Sequence, residues 1–199
     1  MINLFLRSWF VSFFVNCING PIFHRFFGLG RVLSHYDIKE VGKIFELGCG
    51  IGVTTQLITR RWPGADILAV DKDSEKIKSA QKRFSGRNEK VSFECADILN
   101  MNLPAATYDV VVSSLVLHHI KEYEKAFATL ARTVKPGGSL IIYDIPEKSV
   151  FRLARCRFPS EGVFSADELR ALAVKNGCTI EVSFGRQRIY LIARVAGNE

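Results

Sequence analysis

None of the five cysteines, Cys17, Cys49, Cys95, Cys156 and Cys178, lies in a C-x-x-C pair. That absence removes the usual signature of a structural zinc site or a thiol exchanger, so no metal centre is expected. The odd, scattered set also excludes a disulfide framework and fits a reducing, cytoplasmic setting in which each thiol is a small buried apolar group. Proline is scarce at 6 of 199 residues, and no Pro/Gly/Ser-rich tract or internal repeat marks a linker. A chain of this length with 48% hydrophobic and 24% charged residues buries a core without a staple, and long disorder is disfavoured.

An unbroken membrane-length run is missing as well. The charge-free stretch from Ser8 to Phe23 is interrupted by Asn16, Asn19, Gly20 and Pro21, short of the roughly 20 apolar residues a span requires. No small-residue cleavage site follows Phe10 to Val15, which argues against a secretory signal. On a helical wheel Ser8, Ser12, Asn16 and Asn19 share one side, while Leu4, Phe5, Trp9, Phe13 and Phe14 cover the rest. Residues 1–42 are therefore expected to form an amphipathic helical cap that either packs over the active site or docks at a membrane interface. The formal charge of +7 favours anionic partners without choosing among them. Basic residues mix with apolar ones at Lys148, Arg152, Arg155 and Arg157, so 1–30 and 148–158 are the candidate segments for peripheral membrane contact.

From Lys43 onward, β-branched runs alternate with helical patterns, as in a parallel sheet covered on both faces. Strands are expected at Lys43 to Leu47, Ala65 to Val70, Val91 to Ala96, Tyr108 to Ser113 and Ser139 to Tyr143. Between them, Ile77, Ala80 and Phe84 recur at helical spacing, as do Ala126, Phe127, Leu130 and Val134 before a Pro136-Gly137-Gly138 turn. Ser165 to Glu168 reads as a capping box, with Gly177 placed for a left-handed C-terminal cap. Thr179 to Phe184 and Ile189 to Val195 form an expected terminal hairpin. Residues 43–199 thus constitute one α/β domain.

Chemistry concentrates where strands end. Phe45-Glu46-Leu47-Gly48-Cys49-Gly50-Ile51-Gly52 runs a strand through three glycines into a helix near Val53, a geometry in which backbone N–H groups and the helix dipole receive an anionic group. A dinucleotide fingerprint begun at Gly48 needs Gly or Ala at 53, and Val53 stands there. Asp71, closing the second strand, suits the two hydroxyls of a ribose, a use shared by nicotinamide and adenosyl cofactors. Asp97, in Cys95-Ala96-Asp97-Ile98, suits an adenine amino group between apolar neighbours. The fourth strand ends in Ser113-Ser114-Leu115, with His118 and His119 just beyond.

Together these segments resemble the class I S-adenosylmethionine-dependent methyltransferases over about Phe45 to Tyr143, most specifically in E-L-G-C-G-x-G and the K-P-G-G turn. The resemblance implies a Rossmann-like, doubly wound seven-stranded sheet of order 3-2-1-4-5-7-6 with strand 7 antiparallel. It implies that Glu46, Gly48, Cys49, Gly50 and Gly52 line the methionine end of the cofactor, Asp71 and Lys72 the ribose, Ala96, Asp97 and Ile98 the adenine, and Ser113 and Leu115 the sulfonium. His118 and His119 stand where the family often carries histidine, and their role is either acceptor contact or local packing.

Transfer from a sulfonium needs alignment and exclusion of water more than a strong acid or base. The chain lacks the N-P-P-Y/F tetrapeptide of many amino-methylating DNA and protein enzymes and the Pro-Cys nucleophile of cytosine C5 methylases. The S-x-x-L-H-H-I segment looks like the small-molecule branch, so the expected acceptor is a small amphiphilic or lipid-like molecule, and nucleic acid is disfavoured as a partner. Two rivals remain at this level: an NAD(P)-dependent oxidoreductase, against which Val53 and Asp97 argue, and a non-catalytic S-adenosylmethionine-binding partner protein.

Overall fold

The computed structural model describes residues 40–86, 89–144, 164–184 and 189–196, together with positions 29, 30, 33, 38 and 162; side chains of 182–184, 189 and 190 are outside that description. The expected helix over the opening stretch and the Arg-rich segment 145–163, apart from position 162, lie outside the described residues. Contacts divide the chain after Asp37, and the sheet with its helices belongs to the unit that starts at Ile38. Among the described residues no helix is long and apolar enough to cross a membrane.

The elements succeed one another as β1 (Lys43–Leu47), α1 (Val53–Arg61), β2 (Asp66–Asp71), α2 (Ser74–Phe84), β3 (Val91–Cys95), β4 (Tyr108–Ser114), a 3₁₀ turn (Leu117–His119), α3 (Tyr123–Thr133), β5 (Val134–Asp144), α4 (Ala166–Lys175), β6 (Cys178–Phe184) and β7 (Ile189–Val195). The seven strands make one sheet of order β3-β2-β1-β4-β5-β7-β6. Strands β1 to β5 pair parallel, whereas β7 runs antiparallel to both β5 and β6. The expected order and the inserted antiparallel strand are both present.

Each central strand is buried on two faces, which is why its sequence reads as a nearly continuous apolar run. Phe45, Leu47, Val70, Val111, Leu140 and Ile142 belong to a core shared with Phe127 and Leu130 of α3 and Leu169 of α4. Alternate residues such as Ile44, Ala69 and Val112 are buried too and point to the opposite face, where Glu46 meets Thr55 of α1.

Local chemistry sets the helix ends. Asp73 accepts the N–H groups of Glu75 and Lys76 at the start of α2. Ser165 and Glu168 form the expected reciprocal capping box at α4, and Gly177 takes a left-handed φ of 72° just past its end. The largest departure from expectation is at β5: Val134, expected on a helical stripe, already opens the strand, and Pro136-Gly137-Gly138 lies within it as an irregularity, because Tyr108 pairs with Val134 while Val110 already pairs with Ser139. The three inserted residues bulge out, and pairing resumes on the far side.

Candidate active site at the carboxyl edge of the sheet

The register aligns the ends of the parallel strands: Leu47 stands opposite Val70 and Ser113, and Asp71 opposite Cys95. Residues just beyond these positions therefore gather along one edge, the edge at which open α/β sheets bind ligands. Gly48, Gly50 and Gly52 turn the chain from β1 into α1 with φ of 73°, 54° and 81°, values that L residues with a side chain rarely adopt. The turn is pinned from behind, since the Gly48 and Cys49 N–H groups both donate to the Val70 carbonyl at 2.7 and 2.9 Å.

The glycines serve different needs. A Cβ on Gly48 would lie 2.0 Å from Val116 Cγ2, so its absence lets the loop after β4 press against the turn. A Cβ on Gly50 would meet nothing within 4 Å, which leaves open space over the loop. The first turn of α1 has no side-chain cap and no acidic residue, so its N–H groups remain available to an anion.

Asp71 locks this loop to β2. Its Oδ2 accepts the Gly50 N–H at 2.9 Å and its Oδ1 the Asp73 N–H at 3.0 Å, and its carbonyl accepts the Ala96 N–H at 3.1 Å. Each carboxylate oxygen has a second acceptor direction left. Lys72 beside it is exposed. Asp97 is exposed, and its Oδ1 accepts the Leu99 N–H at 3.0 Å, an Asx turn that leaves its other oxygen clear. A cavity of about 400 Å³ borders this segment, lined by Leu68, Glu94, Ala96, Asp97, Met101 and Leu103 among others. Ile98, by contrast, is taken up by the core, so its side chain offers a ligand no face.

Glu46 is the electrostatic centre of the site. It is buried; Oε2 accepts the Thr55 hydroxyl at 2.6 Å, and Oε1 has no partner among the described residues. Burial, only partly offset by the Thr55 bond, pushes its carboxyl up to about 8, with Asp71 adding to the rise. The buried Cys49 thiol is raised too, by burial and then by the Glu46 and Asp71 charges, which removes it as a nucleophile at neutral pH. Two more buried oxygens at this edge, Ser113 Oγ and Ser114 Oγ, also lack a partner among the described residues. Unmet buried acceptors and hydroxyls cost folding free energy, a cost that a partner at each of them relieves.

The loop after β4 is strained and tightly held. Leu115 takes a φ of 59°, a conformation costing about 1–3 kcal/mol for a residue of this kind, and its N–H donates to the Tyr143 carbonyl at 2.8 Å. His118 is buried, with Nδ1 2.5 Å from Oδ1 of the fully buried Asp144. The His119 ring packs against it, tilted by 43°, at a centroid distance of 3.9 Å.

Sequence alone did not single out Thr55, Val116 or Asp144. Asp144 left a signal, since Ile-Ile-Tyr-Asp repeats the pattern of an apolar strand ending in an acid already present in Ala-Val-Asp of β2. Thr55 and Val116 left none, because their roles depend on contacts across the fold.

Comparison with known proteins agrees with this geometry. Residues 45–142 match a family described as a methyltransferase domain. An uncharacterized methyltransferase of Mycobacterium bovis is 37% identical over 99 residues, covering 50% of this chain and 48% of that protein. A trans-aconitate 2-methyltransferase of Methylobacterium nodulans is 29% identical over 168 residues, covering 76% and 63%. The chain spans about half the length of the first of these relatives. The crystal structure of a SAM-dependent methyltransferase from Aquifex aeolicus superposes with a TM-score of 0.71 at 20% identity, covering 92% of this chain and 97% of that one. With the glycine turn and the 3-2-1-4-5-7-6 sheet, this match puts the chain, through its domain over residues 45–142, among the class I S-adenosylmethionine-dependent methyltransferases.

Proposed function

We propose that this protein transfers the methyl group of S-adenosylmethionine to a small amphiphilic molecule with an anionic part. The observation that carries the reading is the buried, partnerless Oε1 of Glu46 beside the glycine turn. A buried carboxyl with one unmet acceptor suits an ammonium group, and the uncapped N-terminus of α1 suits a carboxylate. An amino-acid tail carries both. Asp71 retains acceptor capacity for ribose hydroxyls, and Asp97 for an exocyclic amino group. Gly50 leaves room for the backbone to approach the ligand. The residues present therefore fit the cofactor.

When bound, that cofactor supplies a methyl group already activated on sulfur, so the protein contributes alignment and dryness. Glu46 and the glycine turn hold the tail, Asp71 the sugar, and the Ser113–Leu115 corner borders the reacting end. The acceptor class rests on composition: net charge +7, a greasy opening stretch, and arginines among apolar residues near 148–158. A small anionic substrate also stands in the name of the trans-aconitate 2-methyltransferase relative.

Isotope-labelled S-adenosylmethionine incubated with the protein and separate aqueous and organic extracts of bacterial cells tests the reading. Label is expected in an acidic, organic-extractable compound. Label confined to protein, nucleic acid or water-soluble acids would overturn the acceptor class.

A further inference from the structure

Cofactor binding leaves one pair of buried side chains unused. Asp144 ends β5 and is fully buried; its Oδ2 accepts the Leu117 N–H at 2.9 Å, and its Oδ1 lies 2.5 Å from His118 Nδ1. With both carboxylate oxygens placed as acceptors, Nδ1 is the donor of that contact, and in the neutral ring Nε2 then keeps a lone pair. Among the described residues Nε2 has no hydrogen-bond partner.

Three contacts hold the His118 loop at the carboxyl edge of the sheet. Its turn starts beside Val116, whose side chain fills the space left by the missing Cβ of Gly48. The Leu115 N–H ties the same loop to β5. The His119 ring packs against His118 at a tilt of 43°. Ser113 and Ser114, whose hydroxyls lack partners among the described residues, close β4 just before this loop.

The geometry points to His118 as the proton acceptor of the transfer step, positioned by Asp144, and hence to an acceptor methylated on a hydroxyl oxygen. The inference rests on the methyl-transfer reading above and names the reacting group. His118 Nε2 takes the hydroxyl proton while the oxygen's electron pair forms the new C–O bond and the sulfur–carbon pair returns to sulfur. Asp144 balances the imidazolium so formed. A carboxylate acceptor is already ionised at neutral pH and needs no such base. An ammonium acceptor is disfavoured by a chain of net charge +7.

The test uses the full chain with labelled S-adenosylmethionine and four probes: 4-dodecylphenol, dodecylamine, dodecanoic acid and, as a short-chain control, phenol. The wild type is expected to label 4-dodecylphenol preferentially. Asp144→Asn and His118→Gln should each lower kcat about 10²-fold or more while leaving the affinity for S-adenosylhomocysteine within about twofold. Nitrogen NMR of His118 in the ligand-free wild type should show Nδ1 protonated and Nε2 bare, and Asp144→Asn should change that tautomer, a readout independent of turnover.

Transfer to dodecanoic acid or dodecylamine alone, or to none of the probes, overturns the inference. So does unchanged turnover in both variants, or an Nε2-protonated wild type. Equal rates with phenol and 4-dodecylphenol would instead sink the amphiphilic reading and leave the proton acceptor standing.

Discussion

Replacing Glu46 by Gln should erase a pH dependence that the wild-type site imposes on cofactor binding. Burial pushes the Glu46 carboxyl up to about 8 in the ligand-free protein, whereas an ammonium at Oε1 requires the ionised form. Binding therefore expels a proton below pH 8. The cost of ionisation is about 2.7 kcal/mol at pH 6, about 1.4 at pH 7 and about 0.4 at pH 8. Affinity should thus rise roughly tenfold from pH 6 to 7 and about fivefold from 7 to 8, beyond which the carboxyl is already mostly ionised and the gain levels off.

The Gln variant has no ionisation cost but forfeits a charge-assisted bond of about 1.5–3 kcal/mol. It should match the wild type near pH 6 and bind about tenfold or more weakly at pH 8. The same shift acts on the ligand-free fold. A folded pKa raised above the unfolded 4.5 means that stability is greatest below pH 4.5 and is lost as pH rises towards 8, and the variant lacks that loss. Calorimetric titration of S-adenosylhomocysteine in buffers of differing ionisation enthalpy counts the released proton directly. A wild-type affinity that stays level between pH 6 and 8, or a Gln variant that keeps the slope, refutes the reasoning.

The geometry yields three further outcomes. Asp71→Ala removes the acceptor for the Gly50 N–H along with the proposed ribose contacts, so the calorimetric affinity for S-adenosylhomocysteine should fall by roughly 1.5–3 kcal/mol, tenfold or more. Gly48→Ala drives a methyl into Val116 at a positive φ, lowering the urea midpoint by an amount equivalent to about 2–4 kcal/mol, and Val116→Ala in the same chain should restore part of it. Burial alone would raise Asp109, but the Lys135 ammonium and the N–H groups of Lys43 and Gly42 hold its carboxyl below 3.8; the resulting stability is present above that pH and lost as pH falls below it. Urea unfolding at pH 3 to 7 should therefore show a shallower acid loss for Asp109→Asn than for the wild type.

Most of the fold was legible because it is written in local periodicity. Doubly buried strands read as apolar runs, and Ser165 to Glu168 spelled out a cap that needs only four adjacent residues. Sheet order was a different matter, since pairing partners lie far apart in the chain, and it was reached through family resemblance rather than from spacing. The Pro136-Gly137-Gly138 segment read as a turn between a helix and the strand from Ser139, yet β5 already begins at Val134, because Tyr108 of β4 pairs there.

At the site, Glu46 and Asp71 were readable as acids at strand ends, but their partners were not. Thr55 looks like any residue of a first helical turn until it folds onto Glu46. Asp144 and His118 are separated by 26 residues, so their pairing exists only once β4 and β5 lie side by side. Ile98, expected against adenine, is drawn into the core instead, because a large aliphatic side chain gains more from full burial than from half of a stacking face.

The most direct test of the central claim is a crystal structure of the full chain with S-adenosylhomocysteine. The ligand's ammonium should sit within hydrogen-bond distance of Glu46 Oε1, its carboxylate at the start of α1 and its ribose on Asp71. Density for the ligand elsewhere, with Glu46 Oε1 still unpaired, would contradict the account.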